Sequence, residues 1–141
     1  MPIKITGSQA RPVAAPIKYP PRPASGAIDT AALVLIDLQT NEGITGHTYL
    51  FTFSQSMLKP TVECFNAVCE LIIGDQVSPL EIDNKLRKYF TLYDTHGILG
   101  QVLAGIDMAV GDIHAKSQNV PLATALGGEP CSIKAYNSCG R

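Results

Sequence analysis

The spacing of the apolar residues changes once along the chain, and this change restricts the fold more than any other feature. Up to about residue 51 the apolar residues form short runs of the length of a β-strand, separated by turn-forming segments. Further on, Leu58, Val62, Phe65, Cys69 and Ile72 recur at three- and four-residue steps, as on one face of a helix. Strands followed by helices predict an α+β fold, with a three-stranded antiparallel meander before a bundle of three to four helices.

Three segments predict the strands. Ile3 to Val13 partly alternates apolar and polar residues, "ALVLIDLQ" at 32–39 is apolar on both faces, and "GITGHTYLF" at 43–51 follows the turn signal "TNEG". We expect the middle segment to be the interior strand, buried on both sides. The proline-rich segment 16–28 is expected to form a stiff loop outside the sheet, because proline fixes φ and removes a backbone donor. Binding residues are often found on such loops.

Two amphipathic helices are predicted next. The first covers 58–72, with Pro60 in its first turn where proline is tolerated. The second begins with "SPLE" at 78–81, which has the pattern of a capping box with Ser78 as N-cap and Pro79 at the first helical position.

The remaining elements are a long helix, a short helix and the beginning of a strand. The long helix is expected from about Ile98 to Lys116. "PLATALGG" at 121–128 predicts a short helix with Gly127 or Gly128 as its C-terminal cap. Residues Ile133 to Tyr136 then predict a new strand.

Composition excludes two classes of partner. The chain has 141 residues, enough for one ordinary domain, and a formal net charge of -1 with 16% charged residues, so we expect no nucleic-acid partner. Its longest apolar run, "AALVLI" at 31–36, is much shorter than the roughly 20 residues of a membrane helix, so we expect no membrane partner. The N-terminal segment lacks the apolar core of a signal peptide, which favours a cytoplasmic location.

The reactive side chains do not form a catalytic or metal-binding pattern. We interpret the four cysteines as reduced thiols, because Cys64 and Cys69 point in different directions on one predicted helix. The three histidines fall on three predicted elements, which does not support a zinc site. Asp107 and Asp112, five residues apart on one helix, are interpreted as bonding to neighbouring backbone or to a facing helix. Arg22, in the proline-rich loop, either binds a carboxylate or is solvated.

Several stretches together resemble a known family. "ITGSQARPVAAPIKYP", "LVLIDLQTNEGITGHTYLF", "AGIDMAVGDIHAK", "PLATALGG" and "AYNS" are similar, in this order and spacing, to the N-terminal part of the mandelate racemase and muconate lactonizing enzyme group of the enolase superfamily. The mandelate racemase branch is the most similar. The resemblance covers Ile3 to Ser138 and implies a capping domain at 1–130, followed at 131–141 by the start of a truncated (β/α) barrel.

The resemblance also implies a chemistry. In this family a magnesium ion held by three barrel carboxylates stabilises an enolate, which forms when a barrel base removes the proton α to the carboxylate of the substrate. The capping domain supplies two loops that define the substrate pocket and exclude water. The resemblance therefore implies the specificity domain of a racemase or acid-sugar dehydratase that acts on a small carboxylate, in a full-length enzyme expected to be a homo-oligomer.

Six residues of this chain match positions that line the pocket in the family or lie beside such positions. The first loop contributes three lining positions and a neighbouring arginine, the second loop contributes an aromatic ring, and the first barrel strand contributes a hydroxyl. These residues are Pro21, Arg22, Ser25, Ile28, Phe53 and Ser138.

The sequence departs from the family pattern at several positions. Ser25 and Arg22 make the first loop more polar, which argues against an aryl substrate. Asn137 stands where we expect aspartate, and Gly111 stands where the family commonly has tryptophan. The family's metal ligands and catalytic bases would lie beyond residue 141, so no catalytic residue, metal ligand or cofactor is expected in this chain, and magnesium is expected only in the full-length family.

We therefore expect the 141-residue chain alone to be inactive. This organisation would be explained by gene truncation, by an expressed fragment, by proteolysis, or by a sequence that is part of a longer gene product. The alternative hypothesis is a stand-alone, non-catalytic module that self-associates or binds a partner. Its exposed barrel-facing surface and its unpaired final strand would then be the contact regions.

Overall fold

The computed structural model describes residues 1–22, 26–93 and 95–136. Strands come first and helices follow, as the change in apolar spacing predicts, so the α+β class is confirmed. The elements are β1 (Ile5–Pro16), β2 (Thr30–Thr40), β3 (Thr45–Phe51), a 3-10 turn (Gln55–Met57), α1 (Leu58–Cys69), α2 (Pro79–Tyr89), α3 (Gly97–Ser117) and α4 (Leu122–Ala125).

The three strands form one antiparallel sheet in the order β1-β2-β3, so β2 is the interior strand. Leu33 on β2 lies opposite Val13 on β1 and opposite Phe51 on β3, which fixes the register of all three strands. One irregularity interrupts the pairing of β1, between Ile5 and Gly7.

The free edge of β1 lacks some backbone N–H donors, because two positions that face outward are prolines. The strand runs to Pro16, three residues further than predicted. Because Ile17 donates its N–H to the Asp29 carbonyl at 2.9 Å, the odd-numbered residues of β1 from Gly7 onward bond to β2 and the even-numbered ones face outward. Ile5, before the irregularity, instead bonds to Gly74 and Asp75. Pro12 and Pro16 are both even-numbered, so their missing N–H groups are on the side where no described strand pairs with them.

Side chains of α3 cover part of the opposite edge. The Asp112 carboxylate accepts the backbone N–H of His47 at 2.8 Å, and the Lys116 ammonium donates to the Thr45 carbonyl at 2.8 Å. Lys116 also bonds to Asp112 at 2.6 Å. The interpretation of Asp112 as a backbone-bonding residue is therefore confirmed.

Helices α1, α2 and α3 pack on one side of the sheet, and α4 contacts α3. Val34, Ile36 and Leu38 point from β2 into the core, where they meet buried side chains of α1, α2 and α3. The opposite face of β2 carries Leu33 and Leu35, which are only half-buried. The expectation that β2 is buried on both sides is thus wrong for the described residues, because none of their helices covers that second face.

Two further expectations need correction. Ser78 is the residue before α2, with Pro79 at the first helical position, but its side chain makes no capping hydrogen bond. Residues 131–136 form no strand and are exposed. A strand is stabilised by the ladder it shares with a neighbour, and no described segment pairs with this one.

The cap of the short helix is confirmed, since Gly127 has φ +85° and Gly128 donates to the Ala123 carbonyl at 2.8 Å.

One described helix, α3, has the length and composition of a membrane-spanning segment. A core helix of a globular domain has the same properties, and α3 buries Val102, Ile106, Val110 and Ile113 among its eight buried residues. It packs on β3, β2, α1 and α2. This packing accounts for its apolar composition.

Candidate functional site

The proline-rich loop is anchored near both ends. Ile17 donates to the Asp29 carbonyl at 2.9 Å, and Ile28 donates to the Pro21 carbonyl at 3.0 Å. These bonds make the loop an extension of the β1–β2 hairpin and hold Ile28, which is half-buried, across from the exposed Pro21. Arg22 is exposed. Ser25 lies outside the described residues, so its predicted pocket position stays a prediction.

A strained turn presents the aromatic residue that the sequence singles out. Ser54 donates its N–H to the Thr52 carbonyl at 2.7 Å, which closes a three-residue γ-turn with Phe53 at its centre. Phe53 has φ 58°, in the left-handed region that a bulky residue rarely adopts. The turn is held by buried Thr52, whose hydroxyl donates to the carbonyls of Ala32 and Ser54 at 3.1 and 3.0 Å.

The Phe53 ring points out of the turn. It is 67% exposed and meets the edge of Phe51 with ring centroids 4.6 Å apart. Backbone strain that holds a large apolar ring toward solvent is common where a ligand or another part of the protein covers that ring. The turn therefore supports a binding role for Phe53.

The loop and the turn line one cavity that is open to solvent. Its volume is about 370 Å³, within the size range of small-molecule sites, and it lies beyond the end of the sheet where β1 stops and β2 starts. The structure thus brings Ile28 and Phe53 together, while Pro21 is linked to the site through its bond to Ile28 and Arg22 is not among the lining residues. The cavity is lined by Gly26, Ala27, Ile28, Asp29, Thr30, Phe53 and Gln55.

Three polar lining residues were missed from the sequence. Asp29, Thr30 and Gln55 place a carboxylate, a hydroxyl and an amide around a cavity whose other walls include Ile28 and Phe53. The sequence did contain a signal, because Asp29 and Thr30 directly follow Ile28, and Gln55 is two residues after Phe53. Such a lining combines apolar contacts with donors and acceptors for hydroxyl groups.

A second polar cavity lies between α2 and α3. Asp83, Arg87 and Asp107 line it, and the Arg87 Nε–H donates to both carboxylate oxygens of Asp83 at 2.8 and 2.9 Å. Burial raises the pKa of Asp107, the charge of Asp83 raises it further, and Arg87 opposes both effects. Among the described residues of the predicted substrate pocket, Pro21, Arg22, Ile28 and Phe53 do not line this cavity.

The described cysteines are not poised as nucleophiles. Burial raises the pKa of Cys69 to about 11, against a smaller lowering by a hydrogen bond from Ser8. Burial also raises the pKa of Cys64. Because the thiolate is the reactive form, both are inert thiols near neutral pH, and Cys131 is exposed and free.

Among residues 1–22, 26–93 and 95–136, no cluster of three or more His, Cys, Asp or Glu side chains is placed to hold a metal ion. These residues therefore do not fit a magnesium site. Ser138, predicted near the carboxylate of the substrate, lies outside the described residues.

A meander with helices on one side, and two loops that line an open cavity at its end, define the class of protein: a capping domain of enolase type. Residues 5–127 match the family described as "Mandelate racemase / muconate lactonizing enzyme, N-terminal domain". The chain belongs to this family. The family and fold expected from the resemblance are confirmed.

Solved structures agree with this assignment. An enolase from alpha proteobacterium bal199 with bound magnesium is 35% identical over 98% of this chain, with a TM-score of 0.90. An enolase from Bradyrhizobium complexed with magnesium and mandelic acid is 36% identical over 91% of this chain, with a TM-score of 0.85. The L-talarate/galactarate dehydratase of Salmonella typhimurium LT2 shares the fold, with a TM-score of 0.78 over 90% of this chain at 18% identity.

The chain is much shorter than these proteins. It spans 38%, 36% and 34% of their respective lengths.

Proposed function

We propose that this chain is the substrate-specificity and capping domain of a magnesium-dependent enzyme that removes the proton α to a carboxylate, as a racemase or an acid-sugar dehydratase. One observation carries the proposal: the loop with Ile28 and the strained turn with Phe53 line the same cavity of about 370 Å³. Capping residues 1–130 and a barrel that begins in 131–141 are part of this proposal.

The contribution of this chain is binding, orientation and exclusion of water. Ile28 and Phe53 cover apolar carbon atoms of the substrate, and the anchored loop and turn keep them in place. In an enzyme of this kind magnesium stabilises the enolate, and the chain's described residues offer no site for it. Removal of water by the cap strengthens every electrostatic interaction below it, which favours formation of a charged intermediate.

The polar lining favours a hydroxylated substrate. Asp29 carries a negative charge, so the carboxylate of the substrate is expected to point away from it, toward the barrel. Asp29, Thr30 and Gln55 are then available to hydroxyl groups at the other end of the substrate. The relative with mandelic acid shows that an aryl acid fits one member of the family, so both substrate types belong in the test.

The first experiment uses the chain alone. We expect no magnesium-dependent racemisation of mandelate and no dehydration of galactarate by the purified 141 residues. Turnover that co-purifies with the chain and is lost with it would contradict the proposal.

The second experiment joins residues 1–130 to the barrel of the 35% identical relative from alpha proteobacterium bal199. Ile28→Ala and Phe53→Ala are expected to lower kcat/KM by about tenfold or more, because each removes a wall of the pocket. Tyr89→Ala, which removes a 65% exposed ring on α2, is the matched control and should change kcat/KM by less than about twofold. Equal effects of the pocket and control variants would refute the assignment of the pocket.

The second candidate function is a self-associating, non-catalytic module. The uncovered apolar face of β2 favours it. Both functions can hold for one polypeptide, since the cavity is at the end of the sheet and the uncovered residues are on its face.

A further inference from the structure

The cavity beside Phe53 carries one negative charge in its wall. Asp29 is the only ionisable residue among the described residues that line it, which are otherwise Gly, Ala, Ile, Thr, Phe and Gln. The salt bridges between described residues join other carboxylates to cations and do not include Asp29. A pocket wall with one unpaired carboxylate selects ligands by charge, because a second negative charge beside it is repelled.

The backbone fixes the position of Asp29 on both sides. Its carbonyl accepts the N–H of Ile17 at 2.9 Å, and the next residue, Thr30, is the first residue of β2. On the other side, Ile28 donates its N–H to the Pro21 carbonyl at 3.0 Å. These bonds keep Asp29 at the wall of the cavity.

The two cations of the proline-rich loop do not line the cavity. The Lys18 ammonium lies over the ring of Tyr19, 5.4 Å from the ring centroid. Arg22 is exposed and is not a lining residue. Residues 23–25 are Pro, Ala and Ser, which carry no charge. Within the described part of the loop, no cation therefore lies in the cavity wall to neutralise Asp29.

The cavity is small enough for this charge to act throughout it. A volume of about 370 Å³ corresponds to a sphere roughly 9 Å across. A carboxylate that entered it would lie close to Asp29, and the repulsion between the two charges would grow when a barrel closed the cavity and excluded water. Hydroxyl groups meet no such repulsion, and Asp29, Thr30 and Gln55 offer them hydrogen-bonding groups.

We propose that Asp29 restricts the substrate to monocarboxylic acids whose far end is uncharged, and that it excludes dicarboxylic acids. This inference rests on the proposed function, in which the reacting carboxylate points toward the barrel and the far end of the substrate reaches the cap. It narrows that function, because the hydroxyl-binding groups of the lining do not by themselves distinguish monoacids from diacids.

The experiment uses the fusion of residues 1–130 to the barrel of the relative from alpha proteobacterium bal199. Exchange of the α-proton for deuterium, in D₂O with magnesium, is followed by NMR. The substrates are matched pairs that differ only at the far end: gluconate and glucarate, galactonate and galactarate, and mandelate and 4-carboxymandelate. In every pair that exchanges, kcat/KM for the monoacid should exceed kcat/KM for the diacid by at least about tenfold.

Asp29→Asn isolates the charge, because the two side chains have nearly the same shape. It should raise kcat/KM for the diacids by about tenfold or more and change kcat/KM for the monoacids by less than about threefold. The matched control is Glu42→Gln, which removes a negative charge from the exposed turn between β2 and β3, at the other end of the sheet. It should leave the preference unchanged.

Salt provides a readout that a purely structural role of Asp29 would not affect. In the unmodified fusion, the ratio of diacid to monoacid kcat/KM should rise with ionic strength, because salt screens the repulsion. In the Asp29→Asn fusion this rise should be smaller. Equal salt dependence of the two fusions would contradict the proposal.

The outcomes separate this inference from the proposed function. Comparable exchange of monoacids and diacids overturns the inference and leaves the proposed function in place. A preference for diacids, as expected if Arg22 bound the second carboxylate, does the same. If a folded fusion exchanges no acid, the proposed function is refuted together with the inference. Circular dichroism verifies folding, and the barrel of the Bradyrhizobium relative replaces the first barrel if that fusion does not fold.

Discussion

Two glycines in α3 look equivalent in the sequence but have different surroundings. A Cβ at Gly105 would lie 3.0 Å from a methyl carbon of Leu50 and 3.2 Å from one of Ile36. A Cβ at Gly111 would meet Leu122 at 3.7 Å, which is ordinary contact. Gly105 is therefore needed where α3 crosses the sheet closely, whereas Gly111 is not needed for packing within the described residues.

Replacement of the two glycines by alanine should thus have different effects. Gly111→Ala is expected to stabilise the chain by about 0.5–1 kcal/mol, the usual gain of alanine over glycine inside a helix. Gly105→Ala receives the same gain but crowds the core, and it should be at least about 1 kcal/mol less stable than Gly111→Ala. Urea unfolding of both variants measures the difference, and equal stabilities would contradict it.

Asp107 gives a prediction about pH. Burial, aided by the charge of Asp83, raises the pKa of Asp107 above its ordinary value of 3.8. The folded chain then holds this proton more tightly than the unfolded chain, so ionisation of Asp107 lowers stability as pH rises through its pKa. Asp107→Asn should therefore stabilise the chain at pH 7, by about 0.5 kcal/mol or less because the group is partly solvated.

This gain should vanish near pH 3, where Asp107 is protonated in both states. Asp112→Asn is the control, and it should lower the stability of the chain, because the Asp112 carboxylate accepts hydrogen bonds from the His47 N–H and from Lys116. Thermal unfolding at both pH values measures both effects. A gain from Asp107→Asn that is unchanged at pH 3 would rule out this explanation.

The turn at Phe53 is a local element whose strain can be measured. Phe53→Ala and Phe53→Gly both lose the edge contact with Phe51, but only glycine adopts φ 58° without steric cost. The glycine variant should therefore be about 1 kcal/mol more stable than the alanine variant. Chemical denaturation of the two proteins measures this difference. An alanine variant as stable as the glycine variant would show that the turn relaxes on substitution.

The elements differ in how well the sequence predicts them. The period of the apolar residues locates α1, α2 and α3 within a few residues, because each has a buried stripe. The extension of β1 to Pro16 was missed, since proline in a strand is tolerated only on a free edge and the sequence does not reveal which edge is free. The γ-turn was also missed, because a bulky residue gives no sequence signal for positive φ.

Only part of the cavity lining was predicted, and the binding role of these residues stays a prediction. Ile28 and Phe53 came from the resemblance, and the structure places both at one cavity. Asp29, Thr30 and Gln55 were missed, because the spacing and composition of the sequence do not indicate which residues of two distant loops lie close together. The expectation that β2 is buried on both faces was wrong, because an apolar strand does not indicate which elements cover each of its faces.

For the whole molecule, one core joins the sheet to α1, α2 and α3, so we expect a single cooperative unfolding transition. Ile133 and Tyr136 lie outside this core, with exposed fractions of 84% and 90%. The double variant Ile133→Ser, Tyr136→Ser should change the free energy of unfolding by less than about 0.5 kcal/mol. Val34→Ala, which empties part of the core, should cost about 1–3 kcal/mol under the same conditions.

Calorimetry of the isolated chain tests this expectation. Two resolved transitions would contradict the single cooperative unit. A loss from the Ile133 and Tyr136 variant comparable with that from Val34→Ala would show that residues 131–136 contribute to this unit.

The prolines on the free edge of β1 have a consequence for how copies of this chain accumulate. A fibril grows when each new strand forms backbone hydrogen bonds with the edge of the previous strand. Pro12 and Pro16 have no N–H group, so β1 lacks two of the donors that it would otherwise offer for these bonds. Addition of another strand on this side of β1 is therefore interrupted at these two positions. Concentrated solutions of the chain should therefore not form fibrils through residues 12–16 of this edge, and seeding with preformed aggregates should not accelerate growth there.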